Sequence, residues 1–356
     1  MRAAIGFIGA GKMAEALIGG LLAKGVFSKD DIVACAPSEA TRSRISTTYG
    51  IKMYPRAKDM CADCDMVVIA VKPKHVAGLF EDEGVRIGDG RIVISIVAGL
   101  TMDKLASYVP DAKIARVMPN HCCMVLEGAM GYTCDAKMTS AEKEKVADIL
   151  ESVGLIAEVP ESQMDAITGI AGSSPAFMYM VIDAMADAGV LNGLSRDASI
   201  MLAAQSMLGA AKMVLETGKH PDVLKDEVCS PGGTTIEGVR TLEDLGLRSA
   251  MIAAIDNTIE KSRQMSRQRR RYDLTSPRAT LGVLAMIELA FQSRSFLLAM
   301  VEFIILMPSS LVSQSLASRS SWSGIRMISS TLCIRSLANS VRRQRSSKTA
   351  SSSLPA

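Results

Sequence analysis

A chain of 356 residues with 48% hydrophobic and 22% charged residues can bury two aliphatic cores, which excludes a mostly disordered protein. The eight cysteines lack the regular spacing of a disulfide framework, and the formal net charge is only +3. The first residues enter a strand at once, without a charged segment or cleavage site. We therefore expect a cytoplasmic protein that has no signal peptide.

Short apolar runs alternate with helical patterns over residues 1–158. The runs that we predict as strands are AAIGFIG, DIVACA, CDMVVIAV, RIVISIVAG, KIARVMP and GAMGYT. Most of them are continuous rather than alternating, which is typical of strands buried on both faces of a parallel sheet. The alternation with helices predicts an α/β domain with a doubly wound parallel sheet.

The first predicted strand leads directly into Gly9-x-Gly11-x-x-Ala14 at the start of a helix. Gly9 permits a tight turn, Gly11 lets the backbone approach a pyrophosphate, and the helix N-terminus supplies amide donors. This context predicts a dinucleotide-binding turn, and so a Rossmann-type domain. The alternative is a glycine-rich turn that binds nothing.

The end of the second predicted strand favours NADPH over NADH. An NAD site usually has an acidic residue there, whereas this chain has Ser38, followed by Arg42 and Arg44. A hydroxyl and a guanidinium suit the 2′-phosphate of NADPH. The alternative is that both arginines lie on a solvated helix face, and NADH stays open as the cofactor. Lys72 follows another strand at the same edge of the sheet, where an ordinary surface lysine is the alternative.

Helical patterns replace strands from about Glu161, and we place a helical domain at residues 159–268. The predicted helices cover 174–193, 195–218, 220–228, 234–246 and 247–268. Ser195 fits an N-cap, and Gly193 and Gly218 fit helix ends. These helices carry more apolar surface than one layer can bury, which predicts a homodimer formed through this half.

The composition changes sharply at residue 269. Residues 269–356 hold 12 basic and 3 acidic residues, a charge of +9, and 20 serines. Two apolar segments in this tail are too short to cross a bilayer, so we predict no membrane span. We also predict no nucleic-acid partner, although the tail is basic. A composition rich in Ser, Arg, Leu and Ile is typical of translation past a lost reading frame, and we expect poor order there. A nucleic-acid or membrane-surface arm is the alternative.

Two cysteine motifs are interpreted as structural rather than functional. Cys61 and Cys64 have no second pair at zinc-site spacing, so we predict no metal site. His121, Cys122 and Cys123 are adjacent, and adjacent residues on an extended strand point to opposite faces, which favours a structural role over a nucleophile with its base.

The chain resembles the pyrroline-5-carboxylate reductase family in six stretches that run in order from residue 5 to about 268. They are GFIGAGKMAEA, VKP, RVMPN, GSSPAF, GAAKM and LKDEVCSPGGTTIEGV. The resemblance implies NAD(P)H-dependent reduction of the cyclic imine 1-pyrroline-5-carboxylate to L-proline, the last step of proline biosynthesis. It also implies a Rossmann domain followed by a helical domain that interlocks with a second subunit, with a higher oligomer of dimers left open.

The same resemblance implies the site residues. Together with Arg42, which we add from its position, the cofactor contacts are Gly9, Ala10, Gly11, Lys12, Met13, Ala36, Ser38, Val71, Lys72 and Ala98. The substrate contacts are Glu161, Ser230, Gly233, Thr234 and Thr235. The chain departs from the family pattern at Ala57, Ser174 and Glu227, and in HCC after MPN, which leaves cofactor preference and affinity open.

Those residue types suit the implied chemistry. A ring imine accepts hydride more readily when its nitrogen is protonated or hydrogen-bonded, which makes Thr235 the predicted donor. Ser230 and the amides around Gly233 would hold the substrate carboxylate at the positive end of a helix, so both Thr235 and Ser230 are predicted as catalytic. Hydride transfer then depends on positioning and electrostatics, without a metal or an acid–base pair.

Two other functions are weighed against this one. A related β-hydroxy-acid dehydrogenase would carry a catalytic lysine on the long helix that opens the second domain, and residues 174–191 contain none. A non-catalytic NADP-binding protein would need no organised loop at residues 230–235.

Overall fold

The computed structural model describes residues 2–88 and 90–274, with side chains up to residue 266. Its strands are β1 (Ala3–Ile8), β2 (Ile32–Cys35), β3 (Lys52–Tyr54), β4 (Cys64–Ile69), β5 (Ile92–Ser95), β6 (Lys113–Met118), β7 (Gly128–Cys134) and β8 (Gly154–Glu158). They form one sheet in the order β3-β2-β1-β4-β5-β6-β7-β8. Neighbouring strands are parallel except β6 and β7, so β7 and β8 run against the first six.

Helices cover both faces of the sheet. They are α1 (Lys12–Ala23), α2 (Glu39–Tyr49), α3 (Ala57–Cys61), α4 (Val76–Glu81), α5 (Met102–Tyr108) and α6 (Ser140–Glu151). α1, α2 and α6 share one apolar core with the sheet, and α3, α4 and α5 share the other. The predicted doubly wound α/β fold is therefore confirmed. β3 and β8 were not predicted, because β3 has three residues and β8 alternates poorly at the sheet edge.

The strand order reverses next to β1, whose neighbours are β2 on one side and β4 on the other. The connections from these strands leave in opposite directions, which opens a crevice at their carboxyl ends. Ligands of open α/β sheets bind in such a crevice. The fold thus places the ends of β1, β2 and β4 at the expected ligand site.

A helical part follows β8. It contains α7 (Met164–Ile167), a π-helical segment (Thr168–Ser173), α8 (Ser174–Leu191), α9 (Arg196–Thr217), α10 (Pro221–Val228), α11 (Thr234–Asp244) and α12 (Leu247–Leu274). The five helices predicted from residue 174 onward are confirmed. Ser195 caps α9 by accepting from the Ala198 amide at 3.3 Å, and Gly218 ends it with a left-handed φ of 64°.

The π-helical segment packs closely on its neighbours, within the compact unit that reaches Arg267. A methyl group on Gly169 would lie 2.6 Å from Ile259 Cγ1 of α12, so only glycine allows this approach. Ser262 of α12 donates to Asp165 of α7 at 2.6 Å. These contacts attach the last described helix to the start of the helical part.

Large apolar side chains remain exposed on the helical part. Leu191 is 85% exposed, Met180 71% and Leu215 69%. By length and composition alone, α9 is apolar enough to cross a membrane, with a mean hydropathy of 1.4, and only 11% of that segment is buried. One such helix is weak grounds for a membrane span.

The predicted tail, residues 269–356, lies outside the described residues except for the end of α12. That helix continues to Leu274, beyond the predicted boundary at residue 268. The prediction of poor order in the tail is therefore not addressed by the described structure.

Candidate active site

The glycine-rich turn brings three strand ends together. Gly9 has a φ of 95°, and a methyl group there would lie 2.9 Å from the Ala70 carbonyl oxygen and 3.0 Å from Val71 Cγ1. The Gly9 amide donates to the Cys35 carbonyl oxygen at 3.1 Å. Glycine is thus required both by the backbone conformation and by the space between β1 and β4.

Gly11 has the opposite surroundings. It is the N-cap of α1, with φ −81° and ψ 179°, and no side chain caps the helix. No atom lies within 4 Å of a methyl group placed on Gly11. Because the first amides of a helix have no intrahelical acceptor, those of Lys12 and Met13 adjoin this open space. The space and the donors fit the pyrophosphate of a dinucleotide.

The two arginines after β2 have different partners. Arg42 Nη1 donates to the carbonyl oxygens of Ala36 and Pro37 at 2.8 and 2.7 Å, which holds its guanidinium at the end of β2. Arg44 instead forms an ion pair with Glu15 of α1 at 2.6 Å. The Arg42 side chain is therefore half-buried against the end of β2, whereas Arg44 is exposed.

The other predicted cofactor contacts lie on neighbouring loops of the same edge. Ser38 caps α2, accepting from the Thr41 amide at 3.5 Å. Lys72 is exposed and lies in the short loop after β4, just before a 3₁₀ turn that starts at Pro73. Ala98 is exposed in the loop that follows β5. The fold brings the ends of β1, β2, β4 and β5 to one edge, as expected of parallel strands.

Glu161 lies where the helical part begins and is bonded back to the sheet. Its Oε1 accepts from Arg116 Nη1 of β6 at 2.7 Å and from the backbone amide of Met102 at 2.7 Å. Arg116 was not among the predicted site residues. A charged residue inside the apolar run KIARVM was the available signal, because a buried charge normally has a partner.

Ser230 and Gly233 belong to the loop between α10 and α11. Gly232 has a φ of 65°, and the Gly233 amide donates to the Ser230 carbonyl oxygen at 3.0 Å, closing a tight turn. Gly233 is the N-cap of α11, whose first two residues are Thr234 and Thr235, and no side chain caps that helix. The Ser230, Thr234 and Thr235 side chains are all exposed.

An arginine that sequence reasoning missed braces the two helices that flank this loop. Arg248 at the start of α12 donates to Asp222 of α10 at 3.1 Å and to Glu243 of α11 at 2.7 Å. Glu227, one of the departures from the family pattern, pairs with Lys219 at 2.7 Å. These pairs are exposed, so each stabilises the protein only weakly.

Within one chain, the α10–α11 loop is not bonded to the glycine-rich turn. Within residues 2–88 and 90–266, no hydrogen bond or ion pair joins Ser230 or Thr235 to residues 9–13. The predicted site residues thus form two groups. One lies along the sheet edge and includes Glu161 nearby, and the other lies on the α10–α11 loop.

The cysteine motifs have no ligand arrangement. Burial raises the pKa of the Cys61 thiol to about 12 and that of Cys64 to about 11, so both stay protonated at neutral pH. Among the described residues, no three His, Cys, Asp or Glu side chains are grouped to hold a metal ion.

The interpretation of residues 121–123 as an extended strand is wrong. His121–Val125 is a 3₁₀ turn, because Asn120 caps it by accepting from the Cys122 amide at 3.2 Å. The same Asn120 oxygen accepts from the Ala129 amide at 3.2 Å. The nearest partner of the His121 ring is Tyr179 Oη at 3.1 Å rather than a thiol.

Two protein families match two separate regions of the chain. A family described as "Pyrroline-5-carboxylate reductase dimerisation" matches residues 161–265. Another, described as "NADP oxidoreductase coenzyme F420-dependent", matches residues 4–99. The first contains Glu161 and the α10–α11 loop, and the second contains the residues along the sheet edge.

Individual relatives match across both of these regions. The pyrroline-5-carboxylate reductase of Escherichia coli (strain K12) is 40% identical over 268 residues, which cover 75% of this chain and 100% of that protein. The structure of a pyrroline-5-carboxylate reductase from Coxiella burnetii has a TM-score of 0.70 and 29% identity, covering 74% of this chain and 98% of that one. That of Plasmodium falciparum pyrroline carboxylate reductase with NADP bound has a TM-score of 0.65 and 32% identity, covering 74% and 98%. The chain belongs to the pyrroline-5-carboxylate reductase family.

Proposed function

We propose that the chain reduces 1-pyrroline-5-carboxylate to L-proline with NADPH, as an oxidoreductase acting on a carbon–nitrogen bond. The observation that carries this proposal is the likeness to a reductase over that protein's whole length. It includes both the sheet edge with the open Gly11 turn and the hydroxyl-bearing loop at Ser230. Neither half alone would distinguish an imine reductase from other enzymes with a Rossmann-type domain.

NADPH would supply the hydride, and the chain would hold it along the sheet edge. The amides at the start of α1 bind the pyrophosphate beside Gly11, while Ser38 and Arg42 bind the 2′-phosphate. The fixed position of Arg42, bonded to two carbonyl oxygens, supports this role. The remaining proposed contacts lie on the same edge and are Gly9, Ala10, Lys12, Met13, Ala36, Val71, Lys72 and Ala98.

The α10–α11 loop would hold the substrate. Ser230 and the uncapped amides of Thr234 and Thr235 would bind its carboxylate, because helix N-termini stabilise anions, whereas the Gly233 amide already donates to the Ser230 carbonyl oxygen. The Thr235 hydroxyl donates a hydrogen bond to the ring nitrogen, which makes the ring carbon a better hydride acceptor. Glu161 would supply a further, acidic contact to the substrate.

We further propose that two chains complete each active site. In one chain, the loop has no hydrogen bond to the glycine-rich turn, and the helical part exposes a broad apolar surface within residues 161–265. In a homodimer, the second chain would cover this apolar surface and would provide the partner that the loop lacks within one chain. Sedimentation at several concentrations tests the dimer, and it also tests whether dimers assemble further.

The domain limits are proposed as residues 1–158 for cofactor binding and 159–268 for substrate binding and dimerisation. The matching relative covers 268 residues of this chain, so we propose that the tail from residue 269 is dispensable. The seven described cysteines are free thiols, which suits a reducing, cytoplasmic compartment. A chain that ends at Leu274 should keep the activity of the full chain.

The test measures NADPH oxidation by the purified full chain with pyrroline-5-carboxylate, and proline by chromatography. We expect one proline for each NADPH consumed. Turnover of a β-hydroxy acid and its oxidised form, without turnover of the imine, would instead identify the related dehydrogenase. NADPH binding without turnover of either substrate would identify a non-catalytic binding protein.

A further inference from the structure

Glu161 joins three segments that are distant in the sequence. Its Oε1 accepts from Arg116 of β6 and from the Met102 amide at the start of α5, each at 2.7 Å. Glu161 itself starts the segment that leads from β8 into the helical part. One carboxylate oxygen therefore connects the sheet, the loop after β5 and the helical part.

The contact is sheltered from solvent. The Arg116 side chain is 11% exposed and that of Glu161 is 32% exposed. Arg116 lies on a strand whose other residues are mostly buried and apolar. A guanidinium in such a place is costly unless it is paired, and short charge-assisted hydrogen bonds are strong. The pair is thus a fixed part of the structure rather than a mobile surface contact.

The two oxygens of Glu161 are used differently. Both hydrogen bonds end on Oε1, and within residues 2–88 and 90–266 no hydrogen bond ends on Oε2. We propose that Arg116 is a positioning residue, which holds Oε1 so that Oε2 is the oxygen available to the substrate. The proposal rests on the proposed function, in which Glu161 contacts the substrate.

The Met102 bond adds a second constraint. Met102 is the first residue of α5, and the loop that leads from β5 to it contains Ala98, one of the proposed cofactor contacts. The same carboxylate is therefore positioned relative to both cofactor and substrate. Loss of Arg116 leaves the Met102 bond in place, so cofactor binding should change little while substrate binding weakens.

The experiment compares the full chain with Arg116→Met and with a matched control, Lys113→Met. Lys113 is on the same strand and pairs with Glu142 of α6 at 2.7 Å, with side chains 25% and 23% exposed. We expect Arg116→Met to raise KM for pyrroline-5-carboxylate at least about tenfold, as for loss of a hydrogen bond to a charged group. NADPH affinity, measured by nucleotide fluorescence, should stay within about twofold of the parent. Lys113→Met should leave KM unchanged.

A double-variant cycle separates positioning from a general packing effect. In a Glu161→Gln background, Arg116→Met should raise KM no further, because the group that it positions is already altered. Arg116→Lys keeps the charge and covers the case in which the methionine variant does not fold. This variant should raise KM about threefold or more in the parent background but not in the Glu161→Gln background, because lysine lacks the planar fork of arginine.

The outcomes are distinct. A parent-like KM in Arg116→Met or Arg116→Lys, or an equal rise in Lys113→Met, would overturn the assignment of Arg116. A parent that turns over the imine while Glu161→Gln keeps its KM would overturn it as well. Absence of turnover by the parent, with NADPH still bound, would instead refute the proposed function and the role of Arg116 with it.

Discussion

Gly11→Ala should weaken cofactor binding without weakening the fold. The backbone angles at Gly11 are ordinary for alanine, and the added methyl group would meet no atom within 4 Å. Alanine is a poorer N-cap than glycine by about 0.5–1 kcal/mol. It also restricts the unfolded chain, which stabilises the native state by about 0.4–1 kcal/mol. The free energy of unfolding should therefore change by less than about 1 kcal/mol.

The same methyl group would fill the space in front of the first amides of α1. If phosphates bind there, at least one hydrogen bond to a charged group is lost, which costs about 1.5–3 kcal/mol. The Kd for NADPH should rise about 10- to 100-fold. Fluorescence titration with NADPH measures this change, and urea unfolding of the same samples measures stability.

Gly9→Ala is the matched control. The φ of 95° and the contact of 2.9 Å with the Ala70 carbonyl oxygen make alanine strained at this site. Backbone strain and overpacking each cost about 1–3 kcal/mol, so this variant should unfold at a clearly lower urea concentration. Parent-like NADPH affinity in Gly11→Ala would refute the assigned pyrophosphate site. Equal destabilisation by both variants would refute the description of Gly11 as open.

Three further outcomes are expected. Thr235→Ala should lower kcat about 100-fold at unchanged NADPH affinity, and Thr235→Ser should restore most of it; full turnover by the alanine variant would remove the proposed role of the hydroxyl. Arg42→Met should reduce the preference for NADPH over NADH about tenfold, as measured by kcat/KM with each cofactor. Arg44→Met is the control, and an equal loss of preference there would contradict the choice of Arg42. Hydrogen bonding to Lys113 lowers the pKa of Glu142 from 4.5 to about 2, so this carboxylate stabilises the protein above pH 4.5 and the contribution is lost towards pH 2. As the pH is lowered over that range, the urea midpoint of Glu142→Gln should fall less steeply than that of the parent. Parallel pH profiles of parent and variant would contradict this.

The sequence predicted much of the fold because its signals are local. Continuous apolar runs predicted the buried strands, and Ser195 and Gly218 marked the ends of α9. Short elements were missed because they carry too little pattern, as at β3 with three residues. The 3₁₀ turn at His121–Val125 was misassigned, because the Asn120 side chain sets its conformation.

Partners of charged residues could not be predicted. Arg116 and Glu161 are separated by 45 residues, and no local pattern links them. Arg42 and Arg44 lie two residues apart on one helix, yet one binds the end of β2 and the other binds α1. Such choices depend on which backbone groups the folded chain brings within reach.

The sequence by itself determined the glycine-rich turn and the family, because these depend on residue types in short contiguous stretches. Only the tertiary structure decided which oxygen of Glu161 accepts the two hydrogen bonds. Only the tertiary structure showed that Gly11 borders open space while Gly9 is enclosed. It also showed that, among the described residues, no hydrogen bond or ion pair joins the loop to the turn within one chain. The physical reason is that hydrogen-bond partners and free space arise from distances between segments, and those distances exist only after folding.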